Sequence, residues 1–391
     1  MKVVIDEPKE LGNAVNLINR IITTKLADSD KYMIIEAADP NRLVVGTAYE
    51  GKTVLVDVPG VRVDKTGEIC LPYTVFSNFA KTVSKSKSVS LHRSKSRVID
   101  FKAGRSSGTL TLVSSNEIDA IKAEMLTADD VGASPVELNP DDIDVIVRYM
   151  LFDTFGFSDT KPAVKLGYID QKDSYVFMSS DPFSGAVYVT DTEYPPEAKG
   201  LEIPGSAMHI LSNMKLANHS NLKLAVGAKH VALSSDRMVA IVPLEETGTI
   251  MDSSVFLNRQ AKPKCAFTIN SSELTDMVRT VTMLAELGRV APVKITLTPR
   301  KLLLSSQSLY GRSKSEADSQ ALSNVYIDKT ANGGRKKCSF VVYNKVLLDF
   351  VTSFKEQDLQ FELYDGYVVQ RNPNLNVVYI YAVVDEDKAN G

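Results

Sequence analysis

The chain has 391 residues, 44% hydrophobic and 24% charged, with a formal net charge of −3. That length predicts roughly two to four globular domains, and the slight acidity excludes a uniformly basic nucleic-acid binder, though not a protein basic on one face. There is no Trp.

Met1 and Lys2 lead into valines and acidic residues rather than the apolar core of a secretory signal, and no apolar run reaches the about 18 residues that span a bilayer. The three cysteines, Cys70, Cys265 and Cys338, are far apart and lack metal-ligand spacing. They read as reduced, buried thiols of a cytosolic protein.

Residues 7–26 predict an amphipathic helix with Leu11, Ala14, Val15, Ile18, Ile21 and Ile22 as its apolar stripe and Arg20 beside it. Strands follow at 32–38, 42–49 and 52–59, with Asp39-Pro40-Asn41 as a turn. Residues 46–53 fit the phosphate-loop pattern GxxxxGK[ST]. The residues after Thr53 are β-branched and end in Pro59, which makes Glu50-Gly51 a hairpin turn rather than the opening of a phosphate-binding helix.

Residues 69–112 predict strand, helix and strands, with Pro72 opening the helix and Val75, Phe76, Phe79 and Val83 as its stripe. Lys81, Lys85, Lys87, Arg93, Lys95, Arg97, Lys102 and Arg105 crowd this stretch, opposed by Asp100. Such a run is either a solvated surface or an attraction for phosphates. Residues 127–142 read as a linker into a helix at 140–155, capped by Asn139 or Asp141, with Ile143, Ile146, Val147, Met150 and Leu151 apolar. Asp141-Asp142 suits a helix N-terminus better than a metal site.

After three more strands, residues 201–244 repeat the strand, helix and strands grammar, with Pro204 at the helix start and Ala207, Met208, Leu211 and Met214 as the stripe. A second linker at 252–264 precedes a helix at 271–287, capped by Ser271 or Ser272. Two strands, a charged loop at 312–337 and a third copy at 338–384 complete the chain. In that copy Val346, Leu347, Phe350, Val351 and Phe354 mark a helix over 343–354, and Asp365-Gly366 marks a hairpin turn. The copies recur at roughly 130 to 140 residues, a domain-sized period.

Catalytic signals are weak. His92, His209, His219 and His230 are scattered, and no GxSxG, HExxH or Cys-x-x-Cys occurs. An enzyme, a metal site and a cofactor are therefore not expected. The charge pattern offers more: Arg20, Arg148 and Arg279 lie on polar sides of the three leading helices, and Lys81, Lys215, Lys345 and Lys355 on those of the repeat helices. If six helices faced one space these cations would share it, diluted by Asp144, Asp276 and Asp349.

The order of these elements resembles the bacterial-type DNA sliding clamp, the β subunit of replicative polymerases. LVVGTAYEG, GEICLPYTVFSNFAKTV, AGRSSGTLTL and SSELTDMVRTVTMLAELG followed by VKITLTPRKLLLSSQS carry the likeness locally. The resemblance implies an α+β fold of three clamp domains, 1–128, 136–257 and 264–391, each with two helices packed on antiparallel sheets. It further implies a head-to-tail homodimeric ring around double-stranded DNA. That ring would be a processivity factor tethering a DNA polymerase and clamp loader through a short peptide motif, in a bacterial cytoplasm or, for a phage-encoded clamp, that of the host. The alternatives are a monomeric three-domain scaffold that never encircles DNA, and a nucleotide-dependent enzyme acting through residues 46–53.

By the same resemblance, Lys25 and Lys31 on one loop and Lys161 on another touch duplex DNA, as do Lys85 and the helix cations. The partner-peptide pocket maps to Asp181, Pro182, Phe183 and Ser184, to Val242 and Pro243, and to Tyr379, Tyr381, Ala382 and Val383. The family's Met-Pro-Met ending is replaced here by Ala382-Val383-Val384, followed by the acidic start of a tail. The subunit seam maps to Leu110 and Leu112 of one copy against Met283 and Leu284 of the other.

Overall fold

A computed structural model describes residues 1–22, 31–38, 41–151, 163–170, 173–181, 184–245, 261–283, 291–308, 311–372 and 374–384. The chain opens with β1 (Lys2–Ile5), α1 (Pro8–Ile21), β2 (Tyr32–Ala37), β3 (Leu43–Tyr49), β4 (Lys52–Val58) and β5 (Val61–Lys65). The first repeat copy is β6 (Gly67–Pro72), α2 (Tyr73–Val83), β7 (Val89–Lys95), β8 (Val98–Ala103) and β9 (Ser106–Thr111). Two helices, α3 (Ser115–Glu124) and α4 (Ala128–Val131), lead to β10 (Val136–Glu137), α5 (Pro140–Tyr149), β11 (Val164–Ile169), β12 (Ser174–Ser180) and β13 (Ser184–Val189).

The second copy is β14 (Glu202–Ile203), α6 (Gly205–Leu216), β15 (Lys223–Val226), β16 (His230–Ser234) and β17 (Met238–Pro243). The last third holds β18 (Cys265–Asn270), α7 (Ser271–Thr282), β19 (Pro292–Thr298), β20 (Lys301–Ser308), β21 (Gly311–Asp318) and β22 (Leu322–Ile327). The third copy ends it: β23 (Cys338–Tyr343), α8 (Asn344–Thr352), β24 (Asp358–Leu363), β25 (Tyr367–Arg371) and β26 (Val377–Ala382). One strand, a helix and three strands thus recur through the chain, with β5 and β22 as additions.

The chain forms two compact units, Met1–Ile143 with Ser206–Leu244, and Asp144–Gly205 with Glu245–Gly391. The first unit contains a sheet ordered β5-β1-β7-β8-β9 and another ordered β10-β15-β16-β17-β4-β3-β2-β6. The second contains β14-β11-β12-β13-β26-β25-β24-β18-β22 and β21-β20-β19-β23. All of the paired strands run antiparallel.

In the first unit, α1 packs on β3, β4 and α2, burying all six residues of its expected stripe. Val75 departs from the expected stripe of α2 and is 41% exposed; Phe76, Phe79, Ala80 and Val83 face inward. Ile118 and Ile121 of α3 join Ile34, Ala48 and Cys70 in a core cluster. In the second unit, α7 packs on α8. Phe350 of α8 stacks on Tyr379 at 4.0 Å between ring centroids, and Tyr149 stacks on Phe354 at 5.0 Å. Each such buried aromatic contributes about 2–3 kcal/mol through apolar area removed from water.

Several sequence expectations meet the structure directly. Glu50 and Gly51 have φ of 49° and 74° and join β3 to β4 with Tyr49 opposite Lys52, so no helix follows the GxxxxGK[ST] residues. Asn139 caps α5 by accepting from Asp141 N–H at 2.9 Å. The cysteines are free and buried.

Other expectations are corrected. The cap of α7 is Asn270, whose side chain accepts from Ser272 N–H, rather than Ser271 or Ser272. The described helices are shorter than 7–26, 140–155 and 271–287, although residues 23–26, 152–155 and 284–287 lie outside the described set. The linker at 127–142 contains α4 and β10, and α3 before it was not anticipated.

Within the expected charged loop at 312–337, residues 312–318 belong to β21 and residues 322–327 to β22, while residues 328–337 are turns and loop. Ser313 and Ala317 of β21 face inward while Arg312, Lys314, Glu316 and Asp318 are exposed. Small inward residues hide the alternation, and outward charge on an edge strand opposes stray pairing. No described helix is long and apolar enough to cross a membrane.

Candidate functional site

Amphipathicity explains where the helix cations stand: burying one stripe of each helix turns the opposite face outward. In the first unit, exposed Arg20 of α1 donates from its guanidinium to Asn213 Oδ1 of α6 at 2.8 Å. The two helices border a polar groove of about 580 Å³ that also receives Lys9, Asn13, Asn16 and Arg237. Arg237 donates to the carbonyls of Ala217 and Asn218, each at 3.1 Å, placing a cation at the negative end of α6. Lys81 on α2 and Lys85 just after it are exposed.

In the second unit, Arg279 of α7 and Lys355 just beyond α8 line one groove of about 220 Å³ with Ser272, Thr275 and Asp276. Arg148 is exposed, its guanidinium carbon 5.2 Å from the centroid of the Tyr149 ring. Lys345 is half-buried.

Two expected cations are placed differently. Lys31 is only 6% exposed, with its ammonium 5.2 Å from the Tyr49 ring centroid. Lys215 donates to the Pro140 carbonyl at 2.7 Å and lies 3.7 Å from Asp141, so its charge is tied to the start of α5. Lys25 and Lys161 lie outside the described residues.

Two residues expected to line a peptide pocket are joined by the β13·β26 pairing, which sets Ser184 opposite Tyr381. Asp181 Oδ1 accepts from Ser184 N–H at 2.7 Å, and Asp181 N–H donates to the Ser184 carbonyl at 2.9 Å, closing the turn. Pro182 and Phe183 within it lie outside the described residues.

Tyr379 and Tyr381 are not surface walls. Both are buried beneath α8, and the Tyr379 hydroxyl donates to the Tyr149 carbonyl at 2.6 Å. Burial drives the phenol pKa of each well above its ordinary value. Ala382 and Val383, beyond that covered stretch, are half-buried. On the opposite face of β26, Val378 and Ile380 join Met178, Val187 and Val369 in an apolar cluster that the sequence reading missed. A strand apolar at every position offers no alternation by which to choose a face. Val242 and Pro243 belong to β17 of the first unit, where Val242 is buried and Pro243 half-buried.

At the expected seam, β9 is the edge of its sheet and Leu110 is half-buried. Leu112 is instead buried within its own unit, its N–H donating to the Arg97 carbonyl at 2.9 Å. Met283 is 68% exposed at the end of α7, and Leu284 lies outside the described residues.

Repeated strand, helix and three-strand modules, with sheets running from one third of the chain into the next, constitute the fold of the DNA sliding clamps. The structure is similar over its length to DNA polymerase III subunit β from Borrelia burgdorferi, with a TM-score of 0.77, 10% identity and coverage of 99% of this chain and 100% of that one. The β subunit of Streptococcus pyogenes DNA polymerase gives 0.77 at 12% identity, covering 98% and 100%. The Bacillus subtilis sliding clamp gives 0.74 at 16% identity, covering 98% and 99%. No family model matches the sequence, and no curated protein does.

Proposed function

We propose that this chain is a DNA polymerase processivity factor: two copies close head to tail around duplex DNA and tether a polymerase and clamp loader through short peptides. The observation that carries this reading is the order of strand pairing. β4, the third strand after its leading helix, pairs with β17, the last strand of the second repeat copy. β13, in the equivalent place of the middle third, pairs with β26, the last strand of the third copy. The same rule leaves β21 to pair with β9, and each of these is the edge of its sheet among the described strands.

A β9·β21 pairing in both directions between two copies continues the series and closes it with two-fold symmetry, covering edges that otherwise invite aggregation. The three repeats then act as domains 1–128, 136–257 and 264–391. The outward helix cations, Arg20, Lys81, Lys85, Arg148, Arg279 and Lys355 with half-buried Lys345, supply weak phosphate attraction without reading bases, which suits sliding. The turn at Asp181 and Ser184, with Ala382 and Val383, is the proposed peptide dock. This function requires no chemical step.

Threading tests encirclement. The protein is mixed with linear duplex DNA whose ends are either free or plugged afterwards by bound protein, and is then washed at about 0.3 M salt, where the screening length is roughly 6 Å. Retention on plugged DNA alone is expected. Equal retention on both, or a strict 42.8 kDa monomer by light scattering at micromolar concentration with and without DNA, overturns the ring.

A further inference from the structure

The second unit carries a cleft that clamp function does not use. It measures about 590 Å³ and lies between the β11–β12 hairpin and residues 190–199. Tyr168 and Tyr175 face each other across that hairpin, ring centroids 5.0 Å apart in edge geometry, and Tyr194 extends the row 5.7 Å from Tyr175. Asp170, Asp173, Asp191 and Glu193 line the same cleft, against a single described ammonium, Lys199.

That ammonium rests 5.3 Å from the centroid of the Tyr168 ring, so the cleft already holds a cation against an aromatic face. The Tyr168 hydroxyl donates to Asp173, and this bond pushes its pKa up to about 12. No group of three or more His, Cys, Asp or Glu among the described residues is arranged to hold a metal ion. Aromatic faces beside carboxylates, with an ammonium already resting on one ring, suit an organic cation.

We infer that this cleft docks an arginine-bearing segment of a partner protein. A guanidinium stacks on the half-buried Tyr168 and Tyr175 rings, displaces the Lys199 ammonium, and is flanked by exposed Asp191 and Glu193. Arginine fits better than lysine because its flat, weakly hydrated head can stack and donate to two carboxylate oxygens at once. This site is separate from the proposed DNA and peptide contacts, so its failure and that of the clamp reading are distinguishable.

Fluorescence anisotropy of a fluorescein-labelled peptide of four arginines separated by glycines, titrated with the full chain at 0.15 M salt, tests it. Saturable binding is expected. Tyr168→Ala should weaken it about five-fold, the equivalent of one moderately exposed cation–π contact. Asp191→Asn with Glu193→Gln should weaken it further, while Lys199→Ala should strengthen it by removing the resident competitor. Asp119→Asn with Glu124→Gln on α3 removes the same charge elsewhere and should leave affinity unchanged, and thermal melting should show every variant folded. Absence of saturable binding, equal loss in the α3 control, weakening by Lys199→Ala, or equal affinity for the tetra-lysine peptide overturns the assignment.

Discussion

His219 sits half-buried at the turn after α6, with Nδ1 2.8 Å from Ser235 Oγ. Burial, reinforced by the nearby Arg237 charge, holds its pKa below the ordinary 6.5. Because the unfolded chain then binds the proton more readily, His219 stabilises the fold above pH 6.5 and that contribution is lost as pH falls below it. Urea melts at pH 7.5 and 5.5 should show a smaller acid loss in His219→Gln than in wild type. An identical loss in both would exclude His219 as a source. Gly227 is a second residue-scale constraint: a Cβ there would stand 2.0 Å from the Val131 carbonyl oxygen. Gly227→Ala should cost about 1–3 kcal/mol in a denaturant titration, because backbone must move to admit the methyl group. Neither constraint was legible in the sequence, since each depends on a neighbour distant along the chain.

Among the elements, α8 was the most legible. Val346, Leu347, Phe350 and Val351 recur at helical spacing and are buried, as is Phe354 just beyond the end of the helix, which stops at Thr352 rather than at residue 354. Phe350→Ala should cost about 3–5 kcal/mol, seen as a lower denaturant midpoint, because it leaves a cavity beside Tyr379. The edge strand β9 carries a different prediction. Leu110→Lys should weaken dimerisation at least about ten-fold, roughly 1.4 kcal/mol, in analytical ultracentrifugation without lowering the monomer's melting temperature. Unchanged dissociation would count against β9 as the seam. β21 was illegible for a specific reason: Ser313 and Ala317 occupy its inward positions, where a strand pattern needs Val, Ile or Leu.

For the whole molecule, the proposed DNA contact is electrostatic. Replacing Lys81, Arg148 and Arg279 together by alanine should flatten the dependence of log affinity on log salt by about 0.9 for each phosphate contact removed, as measured by duplex-binding titrations from 50 to 200 mM salt (roughly the range over which such slopes are resolved). An unchanged slope would place those side chains away from DNA.

The sequence by itself determined the repeated module, the apolar faces of the long helices apart from Val75 of α2, and the hairpin nature of residues 46–53. These follow from periodicity and turn chemistry acting within a few residues. Only the tertiary structure decided which cations stay outward. Lys215 looks like Arg279 on the polar side of a helix and Lys31 like an ordinary loop cation, yet Lys31 is buried at Tyr49 and Lys215 is bonded to the Pro140 carbonyl. It also decided that Ser184 meets Tyr381 and that Tyr379 belongs to the core, because strand pairing across nearly 200 residues is set by packing rather than by local spacing.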